Sequence, residues 1–163
     1  MQNILCLYYT RTGSTKRLME TLAGKLGGEL VEYTDGKSRK GVWGYLSACV
    51  DSFRRKLPKI RPFQTKLPLG DYDAVVIAMP IWAEGCCCVG KGLLAQYKDQ
   101  LPHRVFFLIT HMADSDYEKQ IQSLDQYLNQ PHIAHLSVST KKEDLTKELA
   151  AFAEQIRRGI EKS

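Results

Sequence analysis

Three short apolar runs, at 4–9, 74–79 and 105–109, limit what this chain can fold into. Each is too short for an ordinary helix and stops at polar or turn-forming residues, so each reads as a strand buried on both faces. Two weaker strands are expected at 29–33 and 133–139. The segments between them carry helical spacing. Leu18, Leu22 and Leu26 recur every four residues until Gly27 and Gly28 stop the helix. Leu46, Val50, Phe53 and Leu57 form a second stripe, and Leu93, Leu94 and Tyr97 a third that ends near Pro102. Ile121, Leu124 and Leu128 mark a fourth, ending before Pro131, and Leu145, Leu149, Phe152, Ile156 and Ile160 a C-terminal amphipathic helix.

Strict alternation of strand and helix predicts an α/β fold: a doubly wound, five-stranded parallel sheet in the order 2-1-3-4-5, with helices on both faces. A length of 163 residues suits one domain, 1–163, and no repeat or linker divides it. The stretch 58–72, with three prolines and Gly70, reads as a surface connection. No apolar run exceeds six residues, far short of the ~20 that a membrane-spanning helix needs. Met1-Gln2-Asn3 lacks the basic region of a secretory leader. The five cysteines are odd in number and none has C-x-x-C spacing, which fits a reducing, cytoplasmic setting better than a disulfide framework. His103, His132 and His135 lack ligand spacing, so no metal is expected.

Charge is unevenly spread. Of 23 Lys and Arg residues, eight fall within 37–61, where Asp51 is the only acid among the chain's 18. This stretch accounts for the net charge of +5. Cations near a helix C-terminus are ordinary design, but eight exceed that need. Docking of an acidic redox partner or of the phosphates of NADPH is one reading; a membrane-surface contact through Trp43 and Tyr45, or a solvated face, are others. Nucleic acid is disfavoured, since no recognition motif or stacking platform accompanies the charge.

In doubly wound sheets the ligand sits beyond the carboxyl ends of the strands, where the winding reverses, here between strands 1 and 3. The loop after strand 1 reads Thr10-Arg11-Thr12-Gly13-Ser14-Thr15 and leads into a helix. One hydroxyl would cap that helix. A run this dense predicts a phosphate site built from hydroxyls, free N–H groups and the helix dipole. The loop lacks the Lys of G-x-x-x-x-G-K-[ST] and the glycines of G-x-G-x-x-G, which disfavours a nucleoside triphosphate or a dinucleotide. The loop after strand 3 reads Pro80-Ile81-Trp82-Ala83-Glu84-Gly85.

Together the T-x-T-G-x-T loop and this Trp-bearing loop resemble the flavodoxin-like family, which includes flavodoxins and related quinone reductases. The segments 72–77 and 92–94 extend the likeness over essentially the whole chain. The resemblance implies noncovalent FMN, its phosphate on Thr10, Arg11, Thr12, Gly13, Ser14 and Thr15. It further implies Trp82 against the ring, framed by Pro80 and Ile81, with the backbone of Ala83, Glu84 and Gly85 at the N5 edge. A glycine there lets the backbone reorient with redox state. In the loop after strand 4, His111, Met112 and Tyr117 would cover the other edge, while Asp114 or Ser115 caps the following helix. His111 also reads as a plain polar loop residue, and Trp82 as a core aromatic.

Cys86, Cys87 and Cys88 sit near the start of the third helix, where a thiol can be activated; the alternative is small buried residues packing that helix on the sheet. No side chain is assigned as a catalyst, because the implied chemistry belongs to the flavin. The function implied is an FMN redox protein. It is either a one-electron carrier or an oxidoreductase acting between NAD(P)H or another donor and a quinone-like or protein acceptor. A flavodoxin-fold binding module without flavin chemistry is the alternative.

Overall fold

The computed structural model describes residues 1–53, 57–83 and 85–162, and the side chains of all these except Ser52 and Phe53. In chain order the elements are β1 (Ile4–Tyr8), α1 (Ser14–Leu26), β2 (Glu29–Glu32), α2 (Gly41–Phe53), β3 (Ala74–Trp82), β4 (Gly85–Cys86), α3 (Cys88–Tyr97), β5 (Val105–His111), α4 (Glu118–Gln122), α5 (Leu124–Leu128), β6 (Ala134–Ser139) and α6 (Thr146–Glu161). The main sheet runs β2-β1-β3-β5-β6, all parallel, which is the order 2-1-3-4-5 expected for five parallel strands. The sixth strand, β4, was not foreseen. It folds back antiparallel on the end of β3, pairing Ile81 with Cys86 and Trp82 with Gly85.

Alternation along each central strand feeds two cores. Leu5, Leu7, Val75, Ile77, Met79, Val105, Phe107 and Ile109 face one side, with Val89, Leu93, Leu94, Ile121 and Leu124 of α3, α4 and α5. Ile4, Cys6, Val76, Ala78, Phe106 and Leu108 face the other, with Leu18, Met19 and Leu22 of α1 and Leu149, Phe152 and Ile156 of α6. Burial on both faces is why these strands are continuously apolar. The C-terminal ends are braced by Tyr33, whose buried hydroxyl donates to the Ala78 carbonyl at 3.0 Å.

Several elements depart from the expected pattern. β3 runs three residues beyond Met79 because Pro80 lies past the last β1 pair, Tyr8 with Ala78, where a missing N–H is tolerated. The fourth helix is two short ones, and neither Asp114 nor Ser115 caps it; Asp116 instead accepts from the Glu118 N–H at 2.8 Å. The connection 58–72 is anchored rather than loose: Ile60 is buried, and its N–H and C=O both bond the Gln96 side chain.

α2 is the main correction. A stripe such as Leu46, Val50, Phe53 and Leu57 packs inward in an ordinary amphipathic helix, yet Leu46 and Val50 are exposed, together with Val42 and Trp43. The inward positions are Gly44 and Ala48. A Cβ on Gly44 would stand 2.0 Å from the Arg39 carbonyl carbon, so only glycine lets the helix lie this close to the preceding segment. Phe53, the third residue of the expected stripe, has no described side chain, and the Arg54-Arg55-Lys56 end of the basic stretch lies outside the described residues.

Candidate functional site

β1 delivers the chain to the carboxyl end of the sheet and Gly13, at φ 97°, turns it into α1. That left-handed angle is one a side chain adopts poorly. The turn is held by the Gly13 N–H donating to Thr10 Oγ1 at 2.9 Å. α1 then starts without any side-chain cap and with no acid in its first turn. Its opening N–H groups have no helical acceptor, so an uncompensated positive end faces the cleft.

This cleft lies at the carboxyl ends of β1, β3, β5 and β6. It is lined by Thr10, Arg11, Thr12, Ser14 and Thr15 from the first loop, Tyr45 from α2, and Pro80, Ile81 and Trp82 from β3. Thr110, His111, Met112 and Thr140 complete the lining. It therefore sets donors and one guanidinium at the α1 end beside the apolar surface of Tyr45, Pro80, Ile81, Trp82 and Met112, with Thr110, His111 and Thr140 as further polar groups.

The hydroxyls of the first loop divide into two groups. Thr10 builds the turn, and Thr15 is buried, its hydroxyl 2.8 Å from that of Thr110. Thr15 thus ties the α1 start to β5. Thr12 is exposed and Ser14 half-buried, both on the cleft wall. Arg11 reaches from the loop to the Arg39 carbonyl at 3.3 Å, and its guanidinium carbon lies 5.5 Å from the centre of the Tyr45 ring.

Trp82 is 95% covered but keeps a surface on the cleft. Tyr9 meets its ring edge-on, centroids 5.5 Å apart at 79°, and the Arg39 guanidinium stands 5.2 Å from its centre. Trp82 is thus both a core aromatic and part of the cleft wall. Ala83 turns the chain at φ 45°, a strained angle for a residue with a side chain. Ala83 and Gly85 sit at the β3–β4 turn rather than on the cleft lining, and Glu84 lies outside the described residues.

On the far side, His111 Nδ1 donates to the Ala113 carbonyl at 2.6 Å, which leaves Nε2 as the free ring nitrogen. Met112 is exposed at the mouth. Tyr117 is buried behind His111, ring centres 4.9 Å apart, and positions that imidazole instead of lining the cleft.

Arg39 belongs to the basic stretch 37–61. It is buried, and bonds Asp35 at 2.9 and 2.7 Å, Asp51 at 3.3 and 2.9 Å, and the Tyr9 hydroxyl at 3.3 Å. Burial alone would lower its pKa, but the two carboxylates outweigh burial and raise it. Burial alone would likewise raise the Asp35 carboxyl, yet hydrogen bonds from Arg39 hold it below its ordinary 3.8. The sequence carried no sign of this cluster, since Asp35, Arg39 and Asp51 lie among residues that look solvated.

The cysteines resolve toward packing. Cys86, Cys87 and Cys88 are all buried; burial pushes the Cys86 thiol up to about 12 and also raises Cys87 and Cys88. Cys87 caps α3, its sulfur accepting from the Gly90 N–H at 3.4 Å. Tyr45, Thr110 and Thr140 are cleft residues that the sequence reading did not assign to the site. For Thr110 and Thr140 the available signal is position, Thr110 one residue before the end of β5 and Thr140 one residue past β6.

No protein-family model matches the chain, and no curated protein matches it. Solved structures do. A flavoprotein from Lactobacillus acidophilus in complex with FMN superposes with a TM-score of 0.71 at 20% identity, covering 84% of this chain and 93% of that one. The two-electron reduced flavodoxin of Megasphaera elsdenii gives 0.60 at 10% identity, covering 95% and 98%. The apo form of an NADH:FMN oxidoreductase gives 0.59 at 12% identity, covering 97% and 89%. The chain has the flavodoxin-like fold. Among the described residues, no helix is long and apolar enough to cross a membrane.

Proposed function

We propose that this protein binds FMN noncovalently and works as a redox protein. The observation that carries the proposal is the uncapped start of α1, opening onto a cleft that Tyr45, Pro80, Ile81, Trp82 and Met112 also line. Such a cleft suits a ligand with a phosphate at one end and a flat apolar ring at the other. FMN-bound and flavodoxin structures of the same fold support the reading.

The residues fit that ligand. The first-turn N–H groups of α1, with the hydroxyls of Ser14 and Thr12, would hold the phosphate dianion. Arg11 adds a positive charge beside it. Trp82, Ile81, Tyr45 and Met112 would exclude water from the ring, and Tyr9 and Arg39 fix the Trp82 plane from behind. His111, oriented by Ala113 and Tyr117, would stand at the other edge of the ring. Bound FMN would supply the capacity to accept and release electrons, and the protein the binding, orientation and local charge. The donor and acceptor are drawn from the same classes the resemblance implies: NAD(P)H or another reductant, and a quinone-like molecule or a protein.

Purification supplies the test. The protein is expected to be yellow and to release FMN on denaturation. A colourless protein that takes up no added FMN overturns the proposal.

A further inference from the structure

We propose that α2 is an interfacial helix that seats the protein on an anionic lipid surface. This goes beyond cofactor binding and stands whatever fills the cleft.

An ordinary surface helix puts polar residues outward and apolar ones inward. α2 does the reverse. Val42 is 76% exposed, Trp43 85%, Leu46 48% and Val50 52%. Val42, Leu46 and Val50 fall four residues apart, so they form one line along the helix, with Trp43 beside its first turn. The only charged residue of α2 is Asp51, and its carboxylate is tied to the buried Arg39. The inward face is committed by Gly44 and Ala48, so the helix cannot roll its apolar line into the core without driving a side chain into the Arg39 backbone.

Basic residues flank this apolar line in the sequence. Lys37 and Lys40 precede α2 and are exposed, Arg54, Arg55 and Lys56 follow it directly in the sequence, and Lys59 beyond them is exposed. Among the exposed described residues from 36 to 50 there is no acid. A basic, Trp-bearing helix with an uninterrupted apolar face is the composition that lies in the headgroup region of an anionic membrane, cations on the phosphates and apolar side chains in the acyl boundary.

Charge selects this occupant. A second copy of α2 would add its own exposed Lys37 and Lys40 to those of the first, with no acid among the exposed described residues from 36 to 50 to offset them. A rigid protein partner would need a slot shaped to side chains that stand this far clear of the surface, whereas a lipid interface needs none.

The purified protein is mixed with sucrose-loaded vesicles of equal parts phosphatidylglycerol and phosphatidylcholine, and with vesicles of phosphatidylcholine alone, at low salt. It is expected to sediment with the anionic vesicles at least about tenfold better than with the neutral ones, less so as salt rises. Tryptophan emission should shift to the blue, and since Trp82 is already covered the shift reports Trp43. A V42S/W43S/L46S variant changes only exposed positions and should fold as the parent does. It should lose at least about tenfold in sedimentation. A parent protein that stays in solution with anionic vesicles overturns the proposal, as does a serine variant that sediments like the parent. Bound FMN is read by its colour in the same samples, so failure of cofactor binding and failure of lipid binding are separate results.

Discussion

α1 and α2 are both 13-residue helices that follow parallel strands, and both show apolar residues at four-residue spacing. α1 turns its line inward, burying Leu18, Met19 and Leu22, and starts without a side-chain cap. α2 turns its line outward and packs through Gly44 and Ala48. Periodicity reveals that a helix has an apolar face; it does not reveal what covers that face. In α2 the orientation is set by partners that no spacing rule contains: a close approach to Arg39 and the ion cluster that Arg39 shares with Asp35 and Asp51.

The largest effect should come from breaking that cluster. Arg39→Ala leaves two carboxylates facing each other, the Asp35 side chain only 2% exposed, without their cation. Removing one partner of a buried ion pair costs about 3–5 kcal/mol, which thermal or urea unfolding will measure. Because Arg39 also backs Trp82, the environment of that tryptophan should change with it. Unfolding like the parent's would mean α2 is held some other way.

Next is the direct contrast of the two lines. Leu22→Ala in α1 empties a fully buried site and should cost about 2–5 kcal/mol. Leu46→Ala in α2 removes an exposed side chain and should shift stability by less than about 0.5 kcal/mol. Similar losses at both positions would contradict the outward orientation of α2.

The smallest effect concerns pH. The folded Asp35 carboxyl is held below its ordinary 3.8, so the folded state binds that proton less readily than the unfolded chain. Its contribution is therefore fully present above the ordinary carboxylate range and is lost as pH falls through the depressed folded value. Unfolding temperatures measured against pH should fall on acidification, and less steeply in Asp35→Asn, which starts from a lower value at neutral pH. Equal slopes would remove Asp35 from the account.

Much of this was legible in the residues. The runs at 4–9, 74–79 and 105–109 are central strands because burial on both faces requires continuous apolar sequence. Gly27 ends α1 at φ 64°, as the Gly27-Gly28 pair indicated. The hydroxyl-rich loop does line the cleft; within it the Thr10 oxygen accepts from the Gly13 N–H and the Thr15 hydroxyl pairs with that of Thr110. Illegible were features made by residues distant in sequence or by backbone geometry. They include the burial of Arg39, the β4 return strand after Ala83, and Tyr117 standing behind His111. A lone Arg in a basic stretch looks solvated until the fold shows two acids around it.

The central claim is that the open end of α1 holds the phosphate of FMN. The direct measurement is a titration of the flavin-free protein with FMN and, separately, with riboflavin, which has the same ring and no phosphate. Each charge-assisted hydrogen bond contributes roughly 1.5–3 kcal/mol, so FMN should bind at least about a hundredfold more tightly than riboflavin. Equal affinities, or no binding of either, would contradict the account.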